Sequence, residues 1–305
     1  ETEFAARPSY DALPESRNVD VAIIGGGLTG ISAALTLAGA GFAPVVLEAG
    51  QIGAGGSGRN GGHVCQGWPN DFFHISRQLS PEDADIAWNA GMAAVDLMTT
   101  RIETHKIDCE PHFGYLHAAL HKRHMDELDD MQAEWEARGY AHFTRLKGQS
   151  DLDAHIGSTA YVGGLYDTGC GHIQPLKYLH GLAGAAMRAG AQIYENSPVS
   201  RIERGAPKQL HVAGGHTVKA RIVMLCGNAY LADVGFPQMT RRLAEVVSSV
   251  LATKPLSENL ARQILPTGAA VADCNTALNY YRIDGSRRMI FGGRSSYSKI
   301  NFTNV

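Results

Sequence analysis

A glycine-rich segment near the start of the chain is its most constraining feature. Thirteen of the 35 glycines lie between Gly25 and Gly62. Around the first of them, residues 20–25 read as a short buried strand, residues 31–40 as a helix rich in Ala and Leu, and residues 45–48 as a second strand that ends in an acid. A strand, a glycine turn, a helix, a second strand and an acid, in that order, predict a unit that binds a dinucleotide.

The turn fits the pattern GxGxxG, and each residue type has a physical reason. Gly25 permits a tight turn, Gly27 lets the backbone approach a pyrophosphate, and Gly30 lets the helix pack closely on the strand. Leu28 and Thr29 are further expected cofactor contacts, since they lie in the turn just before the helix, whose N–H groups and dipole attract phosphate. The alternative is a glycine-rich turn in an α/β protein that binds no nucleotide.

The acid after the second strand bears on which dinucleotide binds. Glu48 follows Gly30 by 18 residues and can accept hydrogen bonds from an adenosine ribose. Its charge would repel a 2′-phosphate, which argues against NADP. The polar loop that follows offers Ser57, Arg59 and Asn60 as donors to pyrophosphate or to flavin carbonyls, which favours FAD over NAD. The alternative interpretation is a flexible surface loop.

Composition excludes several classes of protein. With 44% hydrophobic and 19% charged residues and a net charge of −3, the chain is an ordinary globular protein with no sign of a nucleic-acid or anionic-membrane partner. No run of residues is apolar enough for a membrane span. Its five cysteines are scattered, which predicts no disulfide framework, and no signal peptide is seen at the start. We expect a cytoplasmic protein.

The sequence resembles the D-amino-acid-oxidase-like superfamily of FAD-dependent amine oxidoreductases. The resemblance runs from about residue 10 to about residue 297. It is carried by the stretches VDVAIIGGGLTGISAALTLAGAGF, VVLEAGQIGAGGSGRNGGH, GCGHIQPLKYLHGLAGAAMRAGAQIYE, VMLCGNAYLAD and ADCNTALNYYRIDG followed by FGGR. SGRNGG and GNAY are more specific than GxGxxG. One departure is His63, which stands where the family commonly has Gln after SGRNGG.

The resemblance implies FAD as cofactor and oxidation of an amine C–N bond to an imine. It implies an α/β fold, with a Rossmann-like FAD-binding domain and a discontinuous substrate domain built on a mostly antiparallel sheet. The expected boundaries are 1–95 and 150–235 for the FAD-binding domain, and 96–149 and 236–305 for the substrate domain. Further cofactor contacts are expected from residues distributed along the chain: Ala49, Gly61, Gly62, His63, Val199, Cys226, Gly227 and Asn228.

Candidate substrate and catalytic residues follow from the same resemblance. Tyr280 and Arg282 are predicted to contact substrate, and His63 and Tyr281 are the candidate catalytic residues. Because adjacent strand residues face opposite ways, only one of the two tyrosines can easily face a pocket. His63 acts either as a base or as a hydrogen-bonding partner of the cofactor.

A metal site is not predicted. His117, His121 and His124 share a helical spacing, but no helper carboxylate motif accompanies them, and the three are expected to be solvated.

Three functional readings stay open. The first is an oxidase of a small amine, with γ-glutamylputrescine as first candidate and O2 or another molecule as electron acceptor. The second is a related oxidase of another N-substituted amino acid or amine. The third is a truncated chain without activity, because the sequence stops before the later glycine-rich segment that the resemblance leads one to expect over the flavin. The oligomeric state is not predicted.

Overall fold

The computed structural model describes residues 8–68, 72–231, 241–243 and 246–296. In chain order, the strands and α-helices of this part are β1 Arg17–Ile24, α1 Leu28–Gly39, β2 Val45–Leu47, β3 His63–Val64, α2 Phe72–Ser76, α3 Pro81–His105, β4 His112–Ala119, α4 Lys122–Ala137, β5 Phe143–Lys147, α5 Gln149–Leu152, β6 Gly163–His172, α6 Pro175–Arg188, β7 Gln192–Tyr194, β8 Val199–Glu203, β9 Lys208–Val212, β10 Thr217–Leu225, β11 Val247–Ala252, α7 Glu258–Ile264, β12 Ala270–Asp273, β13 Tyr280–Ile283 and β14 Met289–Ser296.

The chain divides into two compact units. Unit 1 comprises the described residues within 1–59, 105–109 and 175–245, and unit 2 those within 60–104, 110–174 and 246–305. Both are discontinuous. Residues 60–95 and 150–174, expected in the FAD-binding domain, lie in unit 2, because strands β3 and β6 pair within its sheet. Residues 105–109, expected in the substrate domain, lie in unit 1. Residues 232–240, 244–245 and 297–305, which the predicted domains include, lie outside the described residues.

Unit 1 is built on a six-stranded sheet in the order β7-β2-β1-β10-β9-β8. Strands β7, β2, β1 and β10 are parallel, and β9 and β8 continue the sheet antiparallel. Helix α1 packs against α6. The core of one face joins Ala22 and Ile24 of β1 to Leu47 of β2. Parallel strands place their carboxyl ends at one edge of the sheet, where ligands of such folds bind.

Unit 2 is built on an eight-stranded sheet in the order β11-β14-β13-β12-β4-β6-β3, with β5 pairing alongside β6. Only the β4–β12 pair is parallel among the described strands of this sheet. Its main core includes Leu116, Leu152 and Val271, none of which is exposed. The observed architecture confirms the predicted α/β class and the mostly antiparallel second sheet.

Three local predictions need correction. The sequence around Gly114 predicts a strand, a turn and a second strand within residues 107–119, but β4 is continuous, and Gly114 takes a positive φ of 127° at an irregularity in its register. The glycines of residues 169–175 predict a turn, but residues 169–172 belong to strand β6. The expected solvation is wrong for His124, which is 1% exposed, and holds only partly for His117, which is half-buried, whereas His121 is exposed as expected. Within the described residues, no helix is long and apolar enough to span a membrane.

Candidate cofactor site and the His63 cluster

The glycine turn of unit 1 leaves no room for side chains. Gly25 follows β1 with a φ of 108°, and a Cβ there would lie 2.6 Å from the carbonyl oxygen of Cys226. At Gly30 a Cβ would lie 2.0 Å from the carbonyl oxygen of Gly25. Both clashes are with backbone atoms, which cannot rotate aside. The turn therefore requires the glycines that the sequence pattern singles out, and it brings helix α1 directly onto the end of β1.

The N-terminus of helix α1 opens at this turn. Gly27 is the extended N-cap residue and offers no side-chain cap, and no acidic residue lies in the first turn of the helix. The Ser57 hydroxyl accepts a hydrogen bond from the Leu28 N–H at 3.0 Å, so the predicted loop reaches the start of the helix. Thr29 is exposed beside it. A helix N-terminus with no acid in its first turn attracts an anion such as a pyrophosphate.

The acid at the end of β2 is held by the backbone. One carboxylate oxygen of Glu48 accepts a hydrogen bond from Gly26 N–H at 2.6 Å, and the other accepts one from Gly50 N–H at 2.9 Å. Each carboxylate oxygen has a second lone pair, so the same group can still accept hydrogen bonds from a ribose. The adjacent Ala49 is exposed.

The end of strand β10 lies beside the ends of β1 and β2 at the same edge of the sheet. The Cys226 N–H donates to the Ile24 carbonyl at 2.8 Å, which continues the β1–β10 pairing to the glycine turn. Gly227 and Asn228 follow, and Asn228 takes a positive φ of 46°. Burial raises the pKa of the Cys226 thiol, as expected of an unreactive cysteine.

The remaining predicted contacts of unit 1 are less closely grouped. Val199 lies at the start of β8 and packs against the core of the sheet. Arg59 is exposed, and its Nε donates to the Gly55 carbonyl at 3.4 Å. Asn60, the first residue of unit 2, accepts a hydrogen bond from Gly62 N–H at 2.8 Å. These contacts fold the SGRNGG segment on itself.

The features of unit 1 fit the adenosine and pyrophosphate parts of FAD. Three features occur together at the carboxyl ends of β1, β2 and β10: a cradle that a Cβ would fill, a helix N-terminus with no acid in its first turn, and an oriented carboxylate. The cradle gives a pyrophosphate room against the backbone, the helix N-terminus offers N–H donors to it, and the carboxylate accepts hydrogen bonds from a ribose.

In unit 2, His63 lies among aromatic and cationic side chains. Its ring packs edge-on against Tyr280 at 5.2 Å and Tyr115 at 5.5 Å between ring centroids. Its Nδ1 lies 3.4 Å from the Tyr115 hydroxyl. Across the β3–β6 pair, His63 is directly opposite His172. We call His63, Tyr115, His172, Tyr280 and Arg282 the His63 cluster.

Arg282 holds the loop before His63. The guanidinium Nε donates a hydrogen bond to the Gly61 carbonyl at 2.5 Å, and the side chain is 3% exposed. A Cβ on Gly61 would lie 2.6 Å from the Tyr280 ring, so this residue also lets the loop lie close to β13. Gly62 takes a positive φ of 74°. Arg282 thus has a direct role in positioning the SGRNGG segment.

The surroundings keep His63 neutral. Burial, with the neighbouring His172 and Arg282, lowers the pKa of His63 to about 3. Burial also lowers the pKa of His172 to about 4. Both imidazoles are therefore uncharged at neutral pH. A neutral His63 can donate or accept a hydrogen bond, but it is a weak base.

Tyr281 lies on the other face of the sheet. Its hydroxyl is 3.1 Å from that of Tyr161, its ring stacks on Phe291, and it belongs to the core with Leu116. Burial raises its pKa above the usual value. The geometry places Tyr280, and not Tyr281, beside His63, and this argues against the predicted catalytic role of Tyr281.

Comparison with known proteins decides the family. The sequence profile described as "FAD dependent oxidoreductase" matches residues 20–304. The chain is 36% identical to gamma-glutamylputrescine oxidoreductase of Escherichia coli, over 94% of this chain and 67% of that protein. It is also 36% identical to the probable oxidoreductase OrdL of Haemophilus influenzae, over 95% of this chain and 68% of that protein.

The chain belongs to the family of FAD-dependent oxidoreductases. Its cofactor is FAD, as the glycine turn and the SGRNGG loop predict. Glycine oxidase from Geobacillus kaustophilus has the same fold, with a TM-score of 0.71 and 22% identity over 92% of this chain and 72% of that one.

Two members of the His63 cluster of this FAD-dependent oxidoreductase, Tyr115 and His172, are not predicted from the sequence. Tyr115 lies in an unremarkable stretch of β4 and carries no local signal. His172 is part of the GCGH stretch. The resemblance of this stretch to the family is a signal that could identify His172 as a site residue, but its glycines predict a turn and not a strand beside His63. Their proximity to His63 follows from the pairing of β4, β6 and β3.

Proposed function

We propose that this FAD-dependent oxidoreductase oxidises a C–N bond of a small amine, with γ-glutamylputrescine as its first candidate substrate and O2 as electron acceptor. The observation that carries the proposal is the 36% identity to gamma-glutamylputrescine oxidoreductase over 94% of this chain. Unit 1 supplies the FAD-binding residues and unit 2 the substrate-binding residues in this proposal. Bound FAD supplies the electron sink.

The electrostatics of the His63 cluster support an amine substrate. A protonated amine has no lone pair on nitrogen and resists oxidation. The buried charge of Arg282 disfavours a second positive charge nearby, and neutral His63 and His172 add none. A site of this kind binds an amine in its neutral form. Arg282 also attracts a carboxylate, which a γ-glutamyl group carries.

The low pKa of His63 favours a positioning role over general-base chemistry. A base with a pKa of about 3 takes a proton poorly at neutral pH. We propose that His63 orients cofactor or substrate by a hydrogen bond, with Tyr280 and Arg282 bordering the substrate. In His63→Gln, the pH–rate profile should keep its shape. Loss of one limb of that profile would establish His63 as the base.

The experiment that tests the proposal is anaerobic reduction of the FAD-loaded protein. γ-Glutamylputrescine should bleach the visible flavin absorption, and admitted air should restore it with release of H2O2. Putrescine, which lacks the carboxylate, should reduce the flavin more slowly. A flavin that stays oxidised with γ-glutamylputrescine but bleaches with another N-substituted amino acid would identify that other compound as the substrate. Bleaching by neither would contradict the amine chemistry.

A cytoplasmic location is also proposed. None of the five cysteines forms a disulfide, which suits a reducing compartment. Fractionation of the native cells should recover the protein with cytoplasmic markers, and recovery from an oxidising compartment would contradict this.

A further inference from the structure

Cys65 and Cys170 lie next to one another at the end of the β3–β6 pairing in unit 2. In this antiparallel pair, His63 is opposite His172 and Val64 is opposite Gly171, and the two cysteines are the residues that adjoin this last pair.

The last opposed pair gives the approximate separation of the two cysteines. Opposed residues on antiparallel strands have Cα atoms about 4.5–5.5 Å apart. A disulfide needs a Cα separation of about 4.4–6.8 Å. Because Cys65 and Cys170 adjoin such a pair and their side chains are hydrogen-bonded to one another, a bridge between them requires only a local movement of the two residues.

Polar contacts hold both thiols in place. The Cys170 sulfur accepts a hydrogen bond from the Gln66 N–H at 3.2 Å and lies 4.0 Å from the Tyr140 hydroxyl. The Cys65 thiol contacts the Cys170 thiol and the Tyr115 hydroxyl. Through Tyr115 the pair lies one contact away from His63.

The two cysteines differ in access. Cys65 is exposed, whereas Cys170 is 2% exposed. The hydrogen bond between them lowers the pKa of Cys65 and raises that of Cys170. An accessible thiol of lowered pKa with a second thiol behind it is the arrangement of a redox-sensitive pair.

We propose that Cys65 and Cys170 form a reversible cross-strand disulfide when the protein meets a hydroperoxide. The Cys65 thiolate attacks one peroxide oxygen, the O–O bond breaks, and with a proton from solvent the products are a sulfenic acid and water. The Cys170 thiol then displaces the sulfenic oxygen as a second water, and the S–S bond forms. Two thiols are oxidised and one H2O2 is reduced to two H2O. A dithiol reductant reverses the step.

The test uses the FAD-loaded protein and added H2O2, so it does not depend on the proposed amine chemistry. After oxidation, remaining thiols are alkylated, and the protein is digested without reduction and analysed by mass spectrometry. Titratable thiols should fall from the five of the untreated chain to three, with a linked peptide pair containing Cys65 and Cys170. Dithiothreitol should restore all five.

Matched variants separate the pair from general thiol oxidation. Cys65→Ser should keep four thiols and give no linked peptide, whereas Cys274→Ser, which removes a half-buried thiol elsewhere in unit 2, should still form the linkage. Because replacing buried Cys170 can unfold the chain, the decision rests on Cys65→Ser. Oxidation of Cys65 to a sulfinic acid while Cys170 stays alkylatable, or linkage only after denaturation, would overturn the proposal.

Discussion

Gly30 offers the sharpest test of the cofactor cradle, through the substitution Gly30→Ala. The added Cβ would lie 2.0 Å from the Gly25 carbonyl oxygen and 3.2 Å from an Ile23 methyl. Carbon atoms in contact normally stay about 3.5 Å or more apart, so helix α1 must move by roughly 1 Å or more from the end of β1. Overpacking of this kind costs about 1–3 kcal/mol, and the clash with backbone favours the upper end.

The same movement displaces the N-terminus of α1, which is the predicted binding place of the pyrophosphate. A loss of about 1.4 kcal/mol of binding free energy corresponds to tenfold weaker FAD binding, and we expect at least that change. Urea unfolding of the apoprotein measures the stability loss, and quenching of flavin fluorescence on binding measures the dissociation constant.

Gly39→Ala is the matched control in the same helix. No atom lies within 4 Å of a Cβ at Gly39. Alanine favours helix over glycine by up to about 1 kcal/mol, so this variant should be as stable as wild type or more stable, with unchanged FAD affinity. The reasoning is refuted if Gly30→Ala matches the control in both measurements.

Three further outcomes are expected. Glu48→Gln weakens the hydrogen bonds to two backbone N–H groups and the predicted one to the ribose. FAD affinity should fall about tenfold in the same fluorescence titration. Unchanged affinity would show that Glu48 does not belong to the FAD site. Tyr281→Phe should cost about 1 kcal/mol of unfolding free energy in urea and leave anaerobic flavin reduction at the wild-type rate, while slowed reduction at wild-type stability would restore its catalytic role. The free energy of unfolding should fall as pH drops from about 6.5 towards 4, because His63, His117 and His172 have lowered pKa values in the folded chain and take up protons only when it unfolds. Urea midpoints at pH 7 and pH 5 measure this change. Equal midpoints would contradict the lowered pKa values.

The sequence predicts the cofactor cradle well because its determinants are local. Gly25, Gly30 and Glu48 lie within one βαβ unit, and the reasons for each residue type act over a few residues. The FAD assignment rests on the longer SGRNGG segment, whose resemblance to the family is specific.

The substrate side depends on long-range pairing, which a single sequence does not reveal. Alternation along β13 predicts that Tyr280 and Tyr281 face opposite ways, but not which of them faces His63. Likewise, Cys65 and Cys170 are distant in sequence and meet only because β3 pairs with β6. The glycines of β6 predict a turn from sequence alone, but in the structure they let neighbouring strands approach closely and do not reverse the chain.

The central claim is that this chain binds FAD through the cradle in unit 1. The most direct measurement is the visible absorption spectrum of the purified protein after incubation with FAD and removal of unbound flavin. The account predicts a flavin spectrum at close to one FAD per chain, with much less retained by Gly30→Ala. A colourless wild-type protein that takes up no FAD would contradict it.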